Sequence, residues 1–200
     1  MSCVVGVIEY GVAGNTHSIK KAIKKAGGEI RRITSRESLN TVDKIVIPGV
    51  GSFKDAMYEL ENMSLKEALI EAIKEKPTLG ICLGMQILSN LGFEYGKTEG
   101  LSLIDAEVKP IIVDAKIPHV GFNQIEVVQK NALLEGVEQE EFYFMHSYEV
   151  VNYTDIVALT DYHGHKFVSS IQKGHLFGVQ FHPEKSREAG LKVFENFINL

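Results

Sequence analysis

The chain has 200 residues, of which 44% are hydrophobic and 24% charged, with a formal net charge of −5. That length suits one domain with a substantial core. The acidic balance, with no basic run to track a phosphate backbone, argues against a nucleic-acid binder. No stretch approaches the roughly 20 apolar residues that span a bilayer. The first ten residues lack the basic region and cleavage site of a signal peptide. Two cysteines, Cys3 and Cys82, offer no disulfide framework. A cytoplasmic protein is the expectation.

Residues 3–8 form an apolar, β-branched run that reads as a first strand, with Cys3 a small core residue on it. A Gly-rich turn at 11–14 leads into a helix over 16–26. Ile19, Ala22, Ile23 and Ala26 make its inner face, and Lys20, Lys21, Lys24 and Lys25 its solvated one. Gly27-Gly28 stops it, and short strands follow at 30–33 and 44–47, the second ended by Pro48-Gly49. A helix is expected near 54–60. Ser64 with Glu67 has the form of a capping box, followed by Leu65, Ala68, Leu69, Ala72 and Ile73 at helical spacing. Pro77 breaks the chain before an apolar stretch that ends at Cys82. The second half is richer in strands, at 104–113, 124–128, 142–151, 156–159, 167–171 and 176–181. A final helix starts near Arg187, with Leu191, Phe194, Phe197 and Ile198 inward.

Strands alternating with helices predict right-handed crossovers and a mostly parallel sheet. Ligands in such sheets bind beyond the carboxyl ends of the strands. With no internal repeat, low-complexity stretch or long linker, residues 1–200 read as one α/β domain.

The segment Leu79-Gly80-Ile81-Cys82-Leu83-Gly84-Met85-Gln86 reads as a nucleophile elbow. A strand turns sharply at Cys82, glycines give the bend room, and a helix-like pattern continues through Ile87 and Leu88. The dipole of that helix would favour a thiolate. Gly178-Val179-Gln180-Phe181-His182-Pro183-Glu184 supplies a base. Proline holds His182 extended, and residues two apart in an extended chain point the same way, so Glu184 can orient the imidazole. Nucleophile, base and orienter complete a triad. Pro48-Gly49-Val50-Gly51-Ser52-Phe53 follows a strand and either brings backbone N–H donors to an oxyanion or simply turns into the next helix. His163 and His165, in one Gly-containing turn without a third ligand, make a poor metal site. His175 reads as a hairpin residue, and His146 as a core or substrate-edge histidine.

These motifs, G-I-C-L-G-M-Q, P-G-V-G-S-F and G-V-Q-F-H-P-E-K-S, in this order and spacing, resemble those of the triad-type, class I glutamine amidotransferases. More closely, the chain is similar to the glutaminase subunits of imidazole glycerol phosphate synthase in histidine biosynthesis. Y-G-V-A-G-N near the start, residues 116–123 and residues 144–148 carry the closer likeness.

The resemblance implies a three-layer α/β fold with helices on both faces of a mostly parallel sheet. It implies Cys82 as nucleophile, His182 as general acid and base, and Glu184 as orienting carboxylate. Backbone amides of Leu83 and of Gly49, Val50 and Gly51 would form the oxyanion hole. Gln86 and the backbone around Ser147 and Tyr148 would hold substrate glutamine. It implies no metal and no cofactor. The implied partner is a (β/α)8-barrel cyclase in a heterodimer, faced by the amino-terminal loop with Asn15 and by His119, Phe122 and Asn123. Residues 10–15 carry one residue more than the common Y-G-x-G-N, Thr16-His17 replaces a usual Leu-Arg, and Phe122 a usual tryptophan. A paralogue feeding another synthase, such as an amidino-sugar enzyme, would share the triad. A non-catalytic regulatory subunit would not need all three residues.

Overall fold

The computed structural model describes residues 3–10, 16–49 and 51–200. Strands β1 (Val4–Ile8), β2 (Glu29–Ile33), β3 (Lys44–Ile47) and β4 (Thr78–Ile81) are interleaved with helices α1 (Thr16–Lys25), α2 (Arg36–Leu39), α3 (Phe53–Asn62) and α4 (Lys66–Ile73). A single helical turn, α5 (Leu83–Gln86), follows β4. Then come β5 (Leu91–Gly92), β6 (Thr98–Glu99), β7 (Glu107–Pro110), β8 (His119–Gln124), β9 (Glu126–Val127), β10 (Glu141–His146) and β11 (Tyr148–Val151). Strands β12 (Ile156–Tyr162), β13 (His165–Lys173) and β14 (Leu176–Val179) precede the last helix, α6 (Arg187–Asn199).

The main sheet has the order β2-β1-β3-β4-β14-β13-β12-β9. From β2 to β14 the ladders are parallel, and the hairpins β14–β13 and β13–β12 and the β12–β9 pair make the far edge antiparallel. Four strands of the parallel part come from the βα alternation of the first half, and the strand-rich second half contributes β14 and the antiparallel edge.

Successive residues of β3 show why helices cover both faces. Ile45 and Ile47 enter the core beneath α3 and α4, whereas Val46 enters the one beneath α1 and α6, as the two-residue period of a strand requires. Among the described residues, no helix is long and apolar enough to cross a membrane.

Several local expectations change: the strand expected at 104–113 shortens to β7, and that at 124–128 divides between β8 and β9. Ser64 does not cap α4: it has φ 53°, and the N-cap position is Leu65. Ser64 N–H bonds to Glu61 O at 2.9 Å and Leu65 N–H to Leu60 O at 2.9 Å, the paired bonds of a Schellman motif closing α3. The segment 142–151 is also not one strand. It breaks at Ser147, because β10 pairs with β8 while β11 crosses to pair with β7.

Candidate active site

Three neighbouring parallel strands deliver the key residues to one edge of the sheet. Ile47 is in register with Gly80, and Val179 with Ile81, so the residues that follow β3, β4 and β14 emerge side by side. Cys82 N–H donates to Val179 O at 2.7 Å. The cysteine has φ 51° and ψ −111°, a conformation that costs about 1–3 kcal/mol and persists only where its surroundings enforce it.

Here the surroundings are other backbone. A Cβ added to Gly84 would lie 2.0 Å from Ile47 O, and one on Gly49 would lie 2.4 Å from Leu83 N and Ile81 O. A Cβ on Gly80 would meet Gly84 O at 2.6 Å. The elbow and the Pro48–Gly49 segment therefore nest main chain on main chain, and only glycine fits. The helix expected through Ile87 and Leu88 stops at Gln86. A single turn aligns few peptide dipoles behind the cysteine.

His182 follows β14 and is anchored through its N–H to Tyr143 O at 2.8 Å and through its carbonyl to Ser186 Oγ at 2.7 Å. Its Nδ1 lies 2.8 Å from Glu184 Oε1, with the two side chains 1% and 2% exposed. Pro183–Lys185 form a 3₁₀ turn, so Glu184 reaches the ring by curling back rather than by extended alternation. Burial alone would lower the imidazole's pKa. The charge of Cys82 and the Glu184 carboxylate outweigh it and push the value up to about 10. His182 Nε2 and Glu184 Oε2 are buried without a hydrogen-bond partner among the described residues. With Nδ1 held, Nε2 is the atom left to exchange a proton.

Cys82 and His182 face a cleft of about 440 Å³ lined also by Gly49, Gly51, Leu83, Gln86, Glu94, Tyr95, Pro118, Met145, His146, Ser147 and Tyr148. Glu184 stands behind His182. Val50 and Asn15 lie outside the described residues. Gln86 is buried rather than solvated, its Nε2 donating to Tyr148 O at 3.0 Å and Gln180 Oε1 at 2.9 Å.

His119, expected at a partner surface, is instead 3% exposed. Its ring lies 4.1 Å from that of Tyr162 and 5.0 Å from that of Phe144, and its Nδ1 lies 3.2 Å from His146 Nε2. The alternation of β8 turns His119 inward and Val120 and Phe122 outward. Phe122 carries the Arg187 guanidinium 4.3 Å above its ring, and Asn123 Nδ2 donates to Asp161 O at 2.9 Å. His165 pairs with Glu149 at 2.7 Å.

Sequence reading missed several neighbours of the site. Glu94, the acidic residue on the cleft wall, accepts from Phe53 N–H at 2.8 Å, and its pKa is raised chiefly by burial. Tyr10 is buried, donates its hydroxyl to Pro48 O, and has its phenol pKa raised by burial and by the charge of Cys82. Glu94 and Tyr10 lie in segments with no periodic pattern, and only the fold brings Glu94 to the cleft wall and Tyr10 to Pro48.

Over residues 7–200 the chain matches the family model described as "Glutamine amidotransferase class-I", and it belongs to that family. A solved structure described as a glutamine amidotransferase superposes with a TM-score of 0.77 at 18% identity, covering 98% of this chain and 99% of that one. The nearer likeness is to imidazole glycerol phosphate synthase subunit HisH 1 of Campylobacter jejuni (strain RM1221), 44% identical over 202 residues, covering 98% of this chain and all of that protein. Subunit HisH of Methanothermobacter thermautotrophicus is 42% identical over 199 residues, covering 98% of each. Within the class, the chain falls among the HisH subunits.

Proposed function

We propose that the chain hydrolyses glutamine to glutamate and ammonia as the glutaminase subunit of imidazole glycerol phosphate synthase in histidine biosynthesis. Cys82 and His182 facing one cleft, with Glu184 on the imidazole behind it, in a chain that falls among HisH subunits, carry the reading.

Cys82 attacks the side-chain amide carbon of glutamine as a thiolate, its proton passing to His182 Nε2. The oxyanion forms against backbone donors of Leu83 and the Gly49–Gly51 segment, including Val50. His182 protonates the leaving nitrogen, ammonia departs, and a glutamyl thioester remains. His182 then takes a proton from water, whose oxygen displaces the sulfur and releases glutamate. Glu184 keeps the ring oriented and stabilises its cationic form. Gln86, Ser147 and Tyr148 hold the substrate's polar groups, and Glu94 is placed to receive its ammonium group.

Ammonia released into water becomes largely ammonium, which is not a nucleophile, so the product must pass directly to a synthase. The partner in this reading is a (β/α)8-barrel cyclase, which uses the ammonia to convert a ribulosyl-aminoimidazole nucleotide to imidazole glycerol phosphate and an aminoimidazole carboxamide ribotide. Val120, Phe122 and Met145 expose an apolar face on β8 and β10, with Met145 at the cleft itself. That face supports docking beside the site of ammonia release. The isolated chain should turn over slowly and accelerate when the partner and its ligand bind.

The test is glutamate release by the chain alone, and then with the cyclase and its nucleotide ligand. Strong stimulation by that pair is expected. Turnover without stimulation would assign the chemistry to another synthase. No turnover in either state, with Cys82 reduced, would leave a non-catalytic subunit.

A further inference from the structure

Gln180 follows β14 between Val179 and Phe181 and is fully buried. A buried amide requires hydrogen-bond partners, and this one finds them in two residues of the cleft. Its Oε1 accepts from Gln86 Nε2 at 2.9 Å, and its Nε2 donates to Cys82 Sγ at 3.4 Å.

The direction of these bonds is dictated from the far end. The Tyr148 carbonyl can only accept, so Gln86 must turn its NH₂ group toward it, at 3.0 Å. The same nitrogen has a second proton for Gln180 Oε1. Gln180, with its oxygen committed, is left to present N–H to the sulfur. The sulfur, which also interacts with the His182 imidazole, lies 3.9 Å from the Met145 carbonyl, which can take a hydrogen bond only from a protonated thiol. The Met145 contact therefore matches the thiol and the Gln180 contact the thiolate.

We propose that Gln180 stabilises the charged form of the nucleophile by donating its amide N–H to Cys82 Sγ, with Gln86 setting the amide's orientation. This rests on the reading of Cys82 as the nucleophile of a glutaminase. In acylation the S–C bond forms as the C–N bond breaks, and the sulfur's negative charge passes to the oxyanion and then to the departing nitrogen, which His182 protonates. In hydrolysis a water oxygen bonds to the acyl carbon, the C–S bond breaks, and sulfur leaves with the electron pair. The Gln180 donor meets the charge on sulfur at both ends of the cycle. The brevity of α5 leaves that role open.

The experiment measures the pH dependence of iodoacetamide alkylation at Cys82, followed by mass spectrometry of its peptide, in the wild type, Gln180→Leu and Gln180→Glu. Glutaminase kcat and KM are measured on the same proteins with the cyclase bound. Each substitution should move the alkylation profile to higher pH by about one to two units, the scale of one hydrogen bond to a charged group. Turnover should fall by about tenfold or more with KM little changed. Gln180→Glu keeps the side chain's shape and an acceptor for Gln86, so it decides the matter if Gln180→Leu fails to fold. An unmoved profile in either folded variant, with a wild type that turns over, would overturn the role of Gln180 alone. A wild type that releases no glutamate and shows no selective labelling of Cys82 would overturn the glutaminase reading, and this role with it.

Discussion

The two halves of the chain hold the site by different means. In the first half, Cys82 and the Pro48–Gly49 segment are held by main chain lying on main chain, with glycines where a single methyl would meet a backbone atom. In the second half, β10 and β11 present Ser147 and Tyr148 through buried side chains. His119 meets His146, His146 Nδ1 bonds to Tyr148 O at 2.9 Å, and Phe144, Tyr162 and Phe167 pack around the pair. The first arrangement is limited by space and is indifferent to pH. The second is limited by hydrogen-bond partners and protonation. Steric and acid perturbations should therefore damage the cleft from opposite sides.

The largest effect tests the reaction itself. Cys82→Ala should lower glutamate release by about 10⁴-fold or more, as removal of a triad member does. A loss below about tenfold would mean that another group is the nucleophile.

Packing of the first half comes next. Gly84→Ala should destabilise the protein by about 3 kcal/mol or more in urea unfolding, because its methyl meets Ile47 O with no flexible atom to yield. Gly51→Ala has open space but φ 111°, and should cost only the backbone strain, about 1–2 kcal/mol. Equal effects would break the distinction between crowding and conformation.

Acid tests the second half. Burial pushes His146 down to about 3 and, with a smaller contribution from His163, pushes His119 down to about 4. An unfolded chain takes up these protons near pH 6.5, so between about 6.5 and 4 the unfolded state binds more protons than the folded one. Stability should fall as pH drops through that window. From pH 7 to pH 5 each imidazole should cost about 2 kcal/mol, and unfolding at the two pH values measures it. A flat profile would mean that the pair is already charged or solvated. His182 has the opposite sign. Its stabilisation is present below pH 6.5 and is lost as pH rises through about 10.

The smallest effect probes a side-chain support of the first half, the Tyr10 hydroxyl. Tyr10→Phe removes the hydroxyl that bonds to Pro48 O. It should cost about 1 kcal/mol and alter unstimulated turnover more than thiol labelling, since Pro48 leads into the Gly49–Gly51 segment. Unchanged basal turnover would show that this carbonyl needs no anchor.

Cys82, His182 and Glu184 were legible because each sits where a local pattern changes: strand to glycine-flanked bend, strand to His-Pro. The parallel strands were legible from hydrophobic runs of the right length, and β3 has the expected bounds 44–47. The misreadings have a common form. Ser64-x-x-Glu67 has the composition of a cap, but the chain spends Ser64 on ending α3. The run 142–151 is rich in aromatic and apolar residues, and its polar members His146, Ser147 and Glu149 do not by themselves say that β10 and β11 belong to different sheets.

The local order of residues determines the α/β alternation, the bend at Cys82 and the three reacting groups, because these depend on periodicity, glycine placement and the restraint of proline. Tertiary structure alone decides which groups surround them. Glu94 lines the cleft while Tyr10 reaches Pro48 and Gln180 reaches Cys82 from separate segments of the chain, and His119 turns inward because of the register of β8 against β10. The physical reason is that a strand's alternation becomes an inside and an outside only once its neighbours are in place.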